Sequence, residues 1–314
     1  MITELFLRLS YRNPVNKPAP DSALLKLKKH CQKLPRQQNQ AHYLHQLDKL
    51  LLRYLFQPDA VSTSNTAHDD AMTALHSPAY RQYLLQQLPL KLHKLRTACR
   101  NQKLPQVSRQ FQQQAIMLAN QPPFAGQHTV IQSIHQLQQA LPAEQCQMVL
   151  YAAQLQQHCL GNACDDNEQR LWQQGLLQAF ICSKLATPPH LQPSDAFLCA
   201  MVHYLSLLFI YRQLPEHYST GTESRILALL PRLDYWLAKD LGLPDYLLNI
   251  LRSRFLEPEH PHRFNETLQQ GKHAALAFLL YQQQSFSRNQ LQQFLHAMQL
   301  DHLQLPEQLL NTTH

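Results

Sequence analysis

Glycine is what this chain most lacks. Six glycines stand among 314 residues, about 2% against the roughly 7% of average proteins, and all are isolated, at Gly126, Gly161, Gly175, Gly221, Gly242 and Gly271. No GxGxxG or GxxxxGKS/T loop can be written from them. That excludes a phosphate cradle of closely approaching backbone amides and disfavours a fold rich in tight hairpins. Charge is also sparse: 16% charged against 44% hydrophobic residues argues for a sizeable core and against disorder. The seven cysteines (31, 99, 146, 159, 164, 182 and 199) form no CxxC pair and no even set. They read as reduced, buried thiols, not as a disulfide framework. The longest apolar run, Ala196 to Tyr211, reaches about two-thirds of a bilayer-spanning length and contains His203 and Ser206, so a buried helix is expected and no membrane. The opening MITELFLRLSYRNP has no basic segment followed by a continuous apolar run, so no secretory signal is read and a cytoplasmic protein is expected.

What the chain has in abundance is helical periodicity. Apolar residues recur at three- and four-residue spacing, as in Leu24, Leu27, Cys31, Leu34, then Leu44, Leu47, Leu51, Leu55, and Ile131, Ile134, Leu137, Leu141. Strict alternation is missing. Prolines, among them Pro142, Pro193, Pro215, Pro231 and Pro244, are read as delimiting these segments. Roughly a dozen helices and no sheet follow, an all-α fold. QPDAVSTSNT at Gln57–Thr66 reads as a linker, and TPPHLQPS at Thr187–Ser194 as a break that ends with Ser194 capping the apolar helix after it. Glutamines are read as the polar faces of amphipathic helices. No fixed repeat suggests a solenoid.

Charge balance is mildly basic, 28 Lys+Arg against 21 Asp+Glu, with 18 histidines. The basic residues gather at Lys26, Lys28, Lys29, Lys33 and Arg36, and again around Lys91, Lys94, Arg96, Arg100 and Lys103. Without aromatic platforms or a reading element, solvated helix faces are the expectation, and a nucleic-acid-binding regulator using Lys91–Lys103 is kept only as a third reading.

Four stretches carry a resemblance. LPLKLHKLRTA (Leu88–Ala98), QQQAIMLANQPPFAGQHTVIQSIHQL (Gln112–Leu137), EQRLWQQGLLQAFICSKLA (Glu168–Ala186), and SDAFLCAMVHYLSLLFIYRQLPE (Ser194–Glu216) running on into LLPRLDYWLAKDLGLPDYLLNILRSRF (Leu229–Phe255) resemble in order the motifs of the HD-related output domain (HDOD). This is a helical signalling module related to metal-dependent HD phosphohydrolases. The chain is divided accordingly into the HD-related domain over 87–285, a C-terminal helical tail over 286–314, and an N-terminal helical region over 1–86 that resembles no known module, whose amphipathic helices are expected to pack on the main body or to form a homo-oligomer. The resemblance implies bacterial signal transduction, with other signalling or regulatory proteins as partners.

The same resemblance locates where an HD hydrolase would hold its metal. Gln174 stands at the first histidine, His203-Tyr204 at the His-Asp dyad, and Leu230 and Ser253-Arg254 at the remaining ligand places. A divalent ion needs imidazole and carboxylate donors to lower the pKa of bound water, and a neutral phenol with a pKa near 10 does not replace an aspartate. The reading leaves His203 alone, so no metal, no cofactor and no catalytic residue are expected. His203 is expected to pair its ring nitrogens with backbone carbonyls or water. Gln174, His203, Tyr204 and Arg254 are the candidates for a vestigial pocket that takes a small anion or a nucleotide. A metal-dependent phosphohydrolase with an atypical site is the alternative. His68-Asp69-Asp70, His158-Cys159 with Cys164 and Cys146, and Glu259-His260-Pro261-His262 read as a solvated helix start, a cluster without zinc spacing, and an exposed loop.

Overall fold

The computed structural model describes residues 22–33, 40–56, 92, 94–95, 97, 108–125, 130–160, 166–186, 191–213, 223–256, 263–301 and 303. Among them are eleven α-helices and no strand: α1 (Ser22–Lys33), α2 (Gln40–Phe56), α3 (Arg109–Ala119), α4 (Ile134–Ala140), α5 (Ala143–Cys159), α6 (Asp166–Leu185), α7 (Pro193–Gln213), α8 (Glu223–Asp240), α9 (Asp245–Leu256), α10 (Arg263–Gln282) and α11 (Arg288–Ala297). The fold is all-α, as the periodicity predicts. The 57–66 linker, the acidic stretch at 68–70, the 259–262 stretch, Cys99, Cys164, Lys91, Arg96, Arg100 and Lys103 lie outside the described residues.

The helix starts follow local chemistry. Ser108 accepts from the Phe111 amide (3.2 Å) and Ser133 from the Gln136 amide (3.2 Å), and Ser287 with Gln290 forms a capping box, each satisfying amides that have no partner in the first turn. Asn120, the Asn of the Leu-Ala-Asn segment, receives the Ile131 amide (2.9 Å) and donates to the Ile131 carbonyl (2.7 Å), so it ties the end of α3 to the approach to α4. Gly242 ends α8 at a positive φ of 67°, the left-handed position that favours glycine.

Two expectations about breaks need correction. Ser194 does not cap α7: the helix begins at Pro193, and the Ala196 amide donates to the Gln192 carbonyl. Proline's fixed φ and missing N–H suit the first helical position, which puts Ser194 one residue inside. Pro231 does not end a helix either, because α8 runs through it. Buried residues on both sides of it, Ile226 and Leu230 before, Leu237 and Ala238 after, hold the helix on course at the cost of one hydrogen bond.

At the centre lies α7, in which every residue from Ser194 to Ile210 is buried. It is long and apolar enough to cross a membrane, yet 94% of its most apolar window is covered by protein. Helices α5, α6, α8 and α9 surround it, and α10 packs on α6. Closeness at these crossings depends on glycine: a Cβ on Gly175 of α6 would fall within 3.0 Å of the Tyr204 ring of α7, and one on Gly271 of α10 within 3.0 Å of Cys182 Sγ of α6. The N-terminal pair is fastened to itself by His30 and Tyr43, whose rings stack at 3.7 Å and exchange bonds with each other's carbonyls. Helix α2 then lies against α6 and α8, presenting Leu47, Leu51, Leu52 and Leu55 to the core.

Candidate functional site

Helix α7 places His203 and Tyr204 side by side, and neighbouring helices settle what each meets. Tyr204 packs over Gly175 and edge-on to Trp172 of α6, with ring centroids 5.4 Å apart. His203 points to α8, where its Nδ1 donates to Asp234 Oδ2 at 2.8 Å. The same carboxylate oxygen accepts from Arg254 of α9. Asp234 is fully buried, and the Arg254 side chain is 8% exposed. Burial alone would push the Asp234 carboxyl up, but the adjoining His203 and Arg254 charges outweigh it and hold the acid down at about 2.

A second charged group faces the first. Asp48, in the leucine face of α2, binds Lys272 Nζ at 2.6 Å and His273 Nε2 at 2.7 Å, both on α10. The Lys272 and His273 side chains are 8% and 1% exposed. Here too burial pushes the carboxyl up, and the adjoining Lys272 and His273 bring it well below the usual carboxylate range.

Between these clusters is a cavity of about 20 Å³, room for about one water molecule. Gln174 and Gln178, one helical turn apart on α6, line it together with Asp48, Lys272, His203 and Tyr204, and leucines of α2, α6, α7 and α8 close it. Both amide atoms of Gln174 and Nε2 of Gln178 are buried without a protein partner. Polar atoms left so cost about 1–3 kcal/mol each when unsatisfied, which marks the cavity as a place for a hydrogen-bonding occupant.

Three of the four candidate residues, Gln174, His203 and Tyr204, thus share one wall, as does Leu230. Arg254 stands behind His203 and reaches it through Asp234, while Ser253 turns back to the Ile250 carbonyl (2.8 Å). The reading that left His203 alone with carbonyl or water partners is corrected: its partner is a carboxylate one turn beyond Leu230. Sequence reasoning missed Asp234, Asp48, Lys272 and His273. The signal was a charge on an otherwise apolar helix face, in LLPRLDYWL and LHQLDKLLL. The glutamines need the same correction, since Gln154, Gln174 and Gln178 are buried and not on polar faces.

The donor set does not fit a divalent metal. Each carboxylate is already bound to a buried cation, and a further positive ion would have to displace that cation or sit beside it. Among the described residues no three His, Cys, Asp or Glu side chains group as metal ligands, and His158-Cys159 forms no such cluster. The described cysteines, 31, 146, 159, 182 and 199, are buried and in no disulfide; burial pushes the Cys159 thiol up to about 12.

The family model of the HDOD domain matches residues 110–230, from α3 to the first half of α8, so the resemblance drawn from the motifs is shown over that segment. It contains Gln174, His203 and Tyr204 and leaves Asp48, Asp234, Arg254, Lys272 and His273 outside. No curated protein and no solved structure matches the chain.

Proposed function

Starting from the HDOD domain over residues 110–230, we propose that this protein is a non-catalytic signalling or scaffolding protein of bacterial type. It acts in the cytoplasm by binding other signalling or regulatory proteins through its helix faces, with the degenerate HD-type pocket as a point of ligand control. The observation that carries this reading is the Arg254 guanidinium on Asp234, the acid that also holds His203. A hydrolase of this type needs a free carboxylate to hold a metal that lowers the pKa of water. Tyr204 stands where that acid is expected, and the nearby Asp234 neutralises an arginine.

Such a domain works by population shift: a partner or ligand that binds one packing of the helices better than another moves the equilibrium by the difference in affinity. The cavity lies where α2, α6, α7, α8 and α10 meet, so an occupant there bears on the N-terminal and central helices together.

The test is an activity panel on the full chain. Chelator-treated protein, resupplied in turn with Mn²⁺, Mg²⁺ and Zn²⁺, is assayed on phosphodiesters, nucleotides and cyclic dinucleotides. The expected result is no turnover above that of a His203→Ala variant. Metal-dependent turnover that the variant loses would put the hydrolase in place of the signalling module.

A further inference from the structure

Helix α2 meets the pocket with a charge set in an apolar face. Leu47, Leu51, Leu52 and Leu55 of that face are buried. Asp48 in the middle of that face must be stripped of water, and a buried ion pair of this kind returns little more than well-packed apolar side chains in its place. The carboxylate is nevertheless received on both oxygens, by Lys272 at 2.6 Å and His273 at 2.7 Å. The amide of Gln174 and Nε2 of Gln178, buried and unpartnered, border the same cavity. The structure therefore contains a pocket already holding an oxyanion, one delivered by a separate helix.

We propose that Lys272 and His273, with the amides of Gln174 and Gln178, form an oxyanion-binding site that Asp48 of α2 fills as a built-in ligand, so that helix α2 and a free carboxylate- or phosphate-bearing ligand compete for it. With α2 in place, Asp48 balances Lys272, as Asp234 balances Arg254. With α2 displaced, Lys272 loses its counter-ion and stands beside donors from His273 and two amides. An anion is what that environment selects. Displacement also uncovers the leucine face of α2 and the surface beneath it, which turns ligand binding into a change of protein surface. The inference rests on the signalling reading above, for which it names the ligand class and the moving element.

The experiment uses the full chain with formate and inorganic phosphate as probes, against sodium chloride at matched ionic strength. In Asp48→Ala the site is vacated, and calorimetry is expected to show saturable binding of an oxyanion at least tenfold tighter than in the unaltered protein. In Asp48→Ala/Lys272→Met that binding is lost. Preference for formate identifies a carboxylate ligand, and preference for phosphate a phosphoryl one; either supports the site. In the unaltered protein, saturating probe is expected to speed hydrogen exchange of the amides of residues 40–56. A folded Asp48→Ala chain that binds neither probe overturns the proposal. So does probe binding that leaves exchange in 40–56 unchanged. Should Asp48→Ala not fold, Arg53→Ala weakens the contact of α2 with Glu223 and leaves the site whole; probe must then accelerate exchange in 40–56 more than in the unaltered protein, and no acceleration is the refuting outcome. Turnover of a phosphate ester by any of these chains would overturn the non-catalytic reading and leave the anion site standing.

Discussion

Asp234 accepts from His203 Nδ1 at 2.8 Å and binds Arg254 with the same oxygen, so one buried carboxylate joins α7, α8 and α9. A carboxylate only accepts, so Nδ1 carries the proton in this bond and the ring is held in one orientation. Removing the acid leaves an arginine buried without its partner. Asp234→Ala is expected to cost about 3–5 kcal/mol in urea unfolding, whereas Asp234→Leu/Arg254→Met, which removes both charges, recovers most of the loss. A double variant as unstable as the single one would show that the pair contributes through shape and not through charge.

Acid should expose the same carboxylate. Asp234 is held at about 2 in the folded chain against an ordinary value of 3.8, and a depressed folded pKa contributes stability that is complete above the unfolded value and lost as pH falls through the folded one. The difference in unfolding free energy between the unaltered protein and Asp234→Asn is therefore expected to shrink between about pH 4 and pH 2. A difference that holds constant across that window contradicts the assignment. Asp48 is shifted in the same direction, so Asp48→Asn should behave alike.

Glycine at the α6–α10 crossing predicts a compensating pair. A Cβ on Gly271 meets Cys182 Sγ, and overpacking of this kind costs about 1–3 kcal/mol. Gly271→Ala is expected to lower the thermal midpoint, and Cys182→Ala added to it to restore part of the loss by vacating the space. Additive losses in the double variant would mean that the helices part instead of sharing that space.

Thiol chemistry gives an independent measure of the core. Five cysteines are buried, and burial raises the pKa of Cys31, Cys159 and Cys182, so little thiolate forms at neutral pH. Titration of the native protein with an aromatic disulfide reagent should release no more than two equivalents promptly, and all seven after denaturation. Fast reaction of more than two would place at least one of these five at the surface.

Much of the fold was legible because periodicity reports burial directly: Leu47, Leu51 and Leu55 at helical spacing do face the core. The motifs singled out Gln174, His203, Tyr204 and Arg254 as pocket candidates, of which the first three line one cavity. What sequence concealed was the other half of the pocket. Asp234 lies four residues past Leu230 and so on the same side of α8, but a reading that sought a ligand at one fixed place stopped at the leucine. Asp48 and Lys272 lie 224 positions apart along the chain, and no local pattern signals such a pair. Pro231 misled for a related reason: proline's local penalty was outweighed by burial on both sides of it.

The most direct test of the central claim, that the pocket's carboxylates Asp234 and Asp48 are engaged by Arg254 and Lys272 and leave no metal site, is elemental analysis of the full chain after chelation and dialysis against Mn²⁺, Fe²⁺ and Zn²⁺. The account predicts no stoichiometric metal in the unaltered protein. One equivalent per chain, lost on His203→Ala or Asp234→Asn, would contradict it.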